Sequence, residues 1–168
     1  MSRIFDPALV FTAAGGGTAV AVDLRSRRVP NTVTLGVAAV GVTLAAVRVT
    51  GLSVGEATAG FAVGLLLMLP GHLVGATGAG DVKLMAAFGT LLGPARIGVA
   101  FLYTAIAGGI LALAVAMARR RTRTTIARAI AVVHTPGVAS DIERPTENNR
   151  FAYAPAIAIG ALAAALGF

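Results

Sequence analysis

Apolar runs recur along the 168 residues at about 7–23, 32–50, 57–76, 83–94, 97–118 and 151–167, and this recurrence constrains the fold more than any other feature. A helix needs about 20 apolar residues to cross a hydrocarbon core of about 30 Å. Hydrocarbon offers the backbone no hydrogen bonds, so a spanning segment must be a helix or part of a closed barrel. These runs are continuously apolar and show no strand-like alternation, which predicts an all-α, polytopic membrane bundle of about six helices in a single domain over 1–168. A mean hydropathy of +0.84 and only 12% charged residues agree with that class. The fourth run is the weak one. About a dozen residues at 1.5 Å each reach roughly 18 Å, which predicts a short or partly re-entrant helix, lengthened if Gly80-Asp81 and Pro94 lie near its two ends.

Basic residues in the connections set the orientation. With six alternating runs, Arg25, Arg27, Arg28, Lys83, Arg119, Arg120, Arg121, Arg123, Arg128, Arg144 and Arg150 share one side, while Arg3, Arg48 and Arg96 fall on the other. The expected topology puts the first group in the cytoplasm and both termini outside. Five spans would scatter the basic connections over both faces. Ala19-Val20-Ala21 has the small-x-small look of a signal cleavage site, but the positive charge follows the first run instead of preceding it, so the segment is expected to be retained.

Zero cysteines exclude disulfides, thiolate-bound zinc and thiol catalysis, and two isolated histidines, His72 and His134, give no metal-ligand spacing. No metal or other cofactor is expected. A net charge of +7 invites a nucleic-acid reading, but the arginines occupy short connections between apolar runs and form no basic face on a soluble module, so no nucleic-acid partner is expected. The connection at about 119–150 is the one sizeable polar stretch. It is expected to be cytoplasmic, with 126–133 as an interfacial helix among lipid headgroups. Gly60 and Gly64, Gly71 and Gly75, and Gly15-Gly16-Gly17 are spaced for close approach of membrane helices.

Two acids stand at the ends of apolar runs. Asp23 is followed by Leu24-Arg25-Ser26-Arg27-Arg28-Val29-Pro30-Asn31, and Asp81 closes Gly78-Ala79-Gly80-Asp81 ahead of Val82-Lys83. Acids beside membrane spans are costly and mark functional positions. Each also has a plain structural reading: Asp81 as an acid that opens a helix after a glycine turn and caps it by accepting backbone N–H bonds, and Asp23 as a polar anchor balanced by the arginines. Their expected meeting on one membrane face favours chemistry. Two adjacent carboxylates cannot both ionise comfortably and share a proton, so they titrate as a pair. The ionised member takes a proton from water while the protonated one hydrogen-bonds a peptide carbonyl and helps the amine leave. Gly78 and Gly80 would let an extended peptide approach Asp81. On a helix Lys83 points away from Asp81, and it reads equally as a topology charge or as a group tuning the pair. His72 reads as an interhelical hydrogen-bonding residue, Glu56 as an outer-face acid out of reach of both aspartates, and Pro155 as a kink or first-turn residue of the last helix.

At these residues the chain resembles the type IV prepilin peptidase family, the aspartic membrane proteases of the GxGD class. The matching pieces are Asp23 to Asn31, Gly78-Ala79-Gly80-Asp81-Val82-Lys83-Leu84, and Tyr153-Ala154-Pro155-Ala156-Ile157-Ala158-Ile159-Gly160. The resemblance implies that Asp23 and Asp81 are the catalytic pair. It further implies a multi-pass protein of the bacterial inner membrane that cuts the short basic leader from a pilin-like precursor on the cytoplasmic side, after a glycine just before the precursor's apolar helix. No cofactor is implied. Larger members carry a cysteine-paired region associated with methylation; this chain has neither the cysteines nor the room, and resembles the short, peptidase-only type of tight-adherence (Flp-type) pili. The competing expectation is an idle membrane scaffold or small transport subunit whose acids are caps or ion-path residues. With no substrate bound, the two carboxylates are expected to face one cavity without touching.

Overall fold

The computed structural model describes residues 6–26, 29–118 and 153–167. The described residues are all-helical, with no strand. Five helices follow in order: α1 Pro7–Ser26, α2 Asn31–Ala46, α3 Val54–Leu73, α4 Ala79–Ala118 and α5 Ala154–Leu166. Three stretches are long and apolar enough to cross a membrane, Pro7–Ser26, Val54–Leu73 and Ala79–Ala114, while α2 and α5 are shorter apolar helices. The expected interfacial helix at 126–133 and the polar connection around it lie outside the described residues, as do Arg27 and Arg28.

The fourth and fifth apolar runs form one element broken at Gly93, whose φ of 74° and ψ of 175° are not helical. A side chain rarely adopts that φ, and Pro94, next in sequence, has no N–H to continue the ladder. The chain turns back there. Gly93 lies against Leu52, and Arg96 reaches Asp6 at 3.9 Å, at the end of the bundle where α1 begins. Fifteen residues later Gly108 lies against Tyr153, which adjoins the opposite end of α1.

The half of α4 before Gly93 is the centre of the molecule. Leu84, Met85, Ala86 and Phe88 have no exposed surface, and Val82, Ala87, Thr90, Leu91 and Leu92 are buried with them. A segment too short to be persuasive as a span is thus enclosed on all sides by other helices. The half after Gly93 is one-sided, with Ile97, Ala100 and Thr104 buried and Leu102, Ile106 and Ile110 exposed.

Small residues make that enclosure possible. With little hydrophobic drive between helices in lipid, close backbone contact supplies the attraction. A methyl group on Gly60 would collide with the Gly89 carbonyl, and one on Gly64 would sit 2.7 Å from the Met85 carbonyl oxygen, so α3 lies directly on α4. Gly41 admits Thr90, Gly16 meets Ala158 of α5, and Gly160 admits Thr104. Gly71 and Gly75 act differently from the packing pair their spacing suggests. Gly71 faces Thr77, and Gly75, at φ 79°, ends α3 in a Schellman turn with Gly75 N–H to His72 O at 3.0 Å and Ala76 N–H to Gly71 O at 2.8 Å.

Capping fixes the remaining ends. Asp6 Oδ1 accepts the Ala8 N–H at 2.9 Å ahead of Pro7 in α1. Ser53 and Glu56 form a reciprocal capping box at the start of α3, at the Gly93 end of the bundle, which sets Glu56 apart from both Asp23 and Asp81.

Candidate active site

The opposite end collects the chemistry. Asp23 lies in the last turn of α1 and is only 4% exposed. Its Oδ2 accepts the backbone N–H of Ala154 at 3.1 Å, the first residue of α5. Leading N–H groups of a helix have no partner within the helix and carry the positive end of its dipole, so α5 supplies Asp23 with a donor suited to a carboxylate. Pro155, in the first turn of α5, occupies a position where a missing N–H costs nothing.

Asp81 is held by its own turn. Gly78 N–H donates to Asp81 Oδ2 at 3.1 Å, and Asp81 N–H returns a bond to Gly78 O at 3.0 Å. This is one half of a capping box: Gly78 stands at the N-cap of α4 and Asp81 three residues on, so the capping reading of Asp81 holds. Capping occupies one carboxylate oxygen. In both aspartates Oδ2 takes the backbone bond, while Oδ1 accepts no protein hydrogen bond among the described residues.

The segments that carry the two acids lie against each other. No hydrogen bond joins the carboxylates of Asp23 and Asp81 among the described residues. Two contacts tie their segments together. A methyl group on Gly80 would sit 3.2 Å from Val29 O and 3.4 Å from Val29 Cβ, so the glycine lets the connection after α1 lie against the turn bearing Asp81. Lys83 Nζ donates to Asn31 Oδ1 at 3.0 Å, joining α4 to the first residue of α2. Lys83 thus spends its charge on an amide of the Asp23-to-Asn31 stretch, a link that neither of its sequence readings contained.

Around this pair, His72 Nδ1 lies 3.0 Å from Thr77 O, and because a carbonyl only accepts, Nδ1 carries the hydrogen. The bond ties the end of α3 to the loop leading into Gly78, where the sequence suggested a partner on another helix. Tyr153, half-buried just ahead of α5, packs against Gly108. Burial first, and then the charge of Asp81, push its phenol above the ordinary range. No group of three or more acidic or histidine side chains suited to a metal occurs among the described residues. An open apolar cavity of about 420 Å³ between α2 and α3, lined by Leu35, Val42, Phe61 and Thr90 among others, includes neither carboxylate.

Residues 10–113 match the model of the type IV leader peptidase family, a stretch that contains both acids and the whole of α2 and α3. The chain belongs to that family. Membership in the type IV leader peptidases carries a protease function and implies prepilin-like substrates and a membrane setting. The matched stretch ends before Tyr153 and α5. No curated protein and no solved structure matches the chain.

Proposed function

We propose that this chain is an aspartic endopeptidase that removes the leader of a pilin-like precursor, with Asp23 and Asp81 as its catalytic pair. The observation that carries the proposal is that the segments bearing these two acids meet at one end of the bundle, each acid fixed through Oδ2 by a backbone N–H while its Oδ1 accepts no protein hydrogen bond among the described residues. Between them they hold one proton. The ionised carboxylate takes a proton from a water molecule as its oxygen attacks the scissile carbonyl carbon. The protonated one gives a hydrogen bond to the carbonyl oxygen, and the tetrahedral intermediate collapses as the leaving nitrogen gains a proton and the C–N bond breaks. Gly78 keeps a side chain off the Asp81 carboxylate, whereas Gly80, expected to open the approach for a peptide, instead lets the Asp23 connection lie against this turn at Val29, and Lys83 works by holding that connection in place through Asn31.

The substrate class follows from the family together with the position of the pair at the end of an apolar bundle. A leader emerging beside the membrane, followed by an apolar helix within it, would present its junction at this level. The cytoplasmic location of the pair, outside termini and six crossings of the bacterial inner membrane form the topology of this proposal. The reversal at Gly93 supports it, since it divides the 40-residue α4 into two antiparallel passes. Co-expression with a Flp-type pilin precursor tests the reading by gel mobility. Wild type is expected to shorten the precursor, and Asp23→Asn and Asp81→Asn, inserted normally, are expected to leave it full length. Normal shortening by both variants would overturn the paired-acid mechanism, and no shortening by wild type would favour the idle-scaffold reading.

A further inference from the structure

We infer that Tyr153 is a third group of the reacting site, its hydroxyl donating a hydrogen bond to the carbonyl oxygen of the scissile peptide. The inference rests on the protease reading above and adds to it a residue beyond the stretch matched by the family.

Tyr153 is anchored at both its ends. Its neighbour Ala154 donates the backbone N–H that holds Asp23, so the α-carbon of Tyr153 is fixed one residue from that contact. The hydroxyl end of its ring lies on Gly108 in the second half of α4: a methyl group at 108 would sit 2.5 Å from the hydroxyl oxygen and 2.6 Å from Cε2. Any larger residue at 108 would displace the phenol, so this glycine gives the ring a defined seat. Among the described residues, Asp81 is the charged group acting on the phenol. The ring therefore stands next to the residue that holds one acid and within the field of the other.

A phenol in that position suits one task. A phenol is protonated through neutral pH, and burial and the Asp81 charge push it further the same way, so it is a donor and not a base. During peptide hydrolysis negative charge gathers on the carbonyl oxygen, and a fixed donor at that point stabilises the transition state more than the substrate. The phenol keeps its proton throughout. Proton transfer stays with Asp23 and Asp81, and the hydroxyl supplies only a hydrogen bond to the forming oxyanion.

The test uses the full chain in detergent with a Flp-type pilin precursor. Tyr153→Phe keeps the ring on Gly108 and removes the donor. The expected result is a kcat lower by about 10²-fold, with KM within about twofold. Wild-type kcat in the Phe variant would overturn the inference, because a packing role needs only the ring. Should the Phe variant fail to accumulate, 3,5-difluorotyrosine at position 153 preserves shape and hydroxyl while making the phenol more acidic. Its alkaline limb of activity is expected to move to lower pH, and an unmoved profile would likewise overturn the inference. Asp23→Asn and Asp81→Asn in the same assay separate the two levels. If they are inactive while Tyr153→Phe is fully active, the role of Tyr153 falls and the paired-acid protease stands; if they are active, the paired-acid reading on which the inference rests falls.

Discussion

The neighbourhoods of Asp23 and Asp81 meet at one end of the bundle but are organised in opposite ways. Asp23 is nearly inaccessible, and the bond that holds it comes from Ala154, 131 positions away in sequence. Asp81 is half-buried, and its bond comes from Gly78, three positions back. Asp81 is thus positioned as soon as its own turn forms, whereas Asp23 is positioned only once α5 has docked on α1 and α4. One acid depends on local chain geometry and the other on completed assembly, so perturbations far from the site should reach Asp23 first.

The strongest way to break this contrast is to lift α5 without touching either acid. Gly160 is where α5 settles on Thr104 and the Ala100 carbonyl, and a side chain there has no room. Gly160→Leu is expected to cost about 1–3 kcal/mol of stability through overpacking. In the protein that remains folded, leader cleavage should fall by at least about tenfold, since loss of the Ala154 bond forfeits a charge-assisted contact of about 1.5–3 kcal/mol. Thermal unfolding in detergent and cleavage kinetics check the two effects separately. Wild-type cleavage by a destabilised variant would show that Asp23 does not depend on α5.

A smaller, local effect is expected at Asp81. Gly78→Pro replaces the N–H that donates to Asp81 Oδ2 with a ring that crowds that oxygen, and should lower kcat at least about tenfold with a modest loss of stability. A large fall in melting temperature would mean that the turn is not the self-contained unit described here. Next comes the strap between the two neighbourhoods. Lys83→Ala and Asn31→Ala break the same exposed 3.0 Å bond, so each should reduce cleavage only a few-fold and the double variant should match the singles. Full additivity of the two losses would deny the link. Smallest of all, Glu56→Ala opens the capping box at the far end of the bundle and should lower the melting temperature only slightly with cleavage unchanged.

Much of this organisation was legible in the chain, and what was not has physical causes. The aspartates stood out because acids at the ends of apolar runs are costly, and the glycines before Asp81 announced a turn. Both readings required only local sequence. The fourth run was undervalued because length against bilayer thickness measures crossing and not enclosure; residues 84–92 are apolar or small on every face, the mark of a helix surrounded by others. The Ala154 bond to Asp23 could not be read, because it is made by a backbone N–H that every non-proline residue possesses. The partner of Lys83 was hidden for a related reason: Asn31 lies 52 positions away, and only the folded connection brings it near. His72 shows the reverse error, since a membrane histidine suggests a partner on another helix, yet a Schellman turn folds Thr77 back to it. The second run also overshot. The sequence carries it to residue 50, but α2 ends at Ala46 and Arg48, with φ 57°, turns the chain.

The measurement that bears most directly on the paired carboxylates is single-turnover cleavage of a pilin-like precursor by wild type, Asp23→Asn, Asp81→Asn and the double variant. Two acids acting as one unit predict a loss of roughly 10²–10⁴-fold for either single change and no further loss when both are made. Wild-type cleavage by either single variant, or losses that multiply in the double, would contradict it.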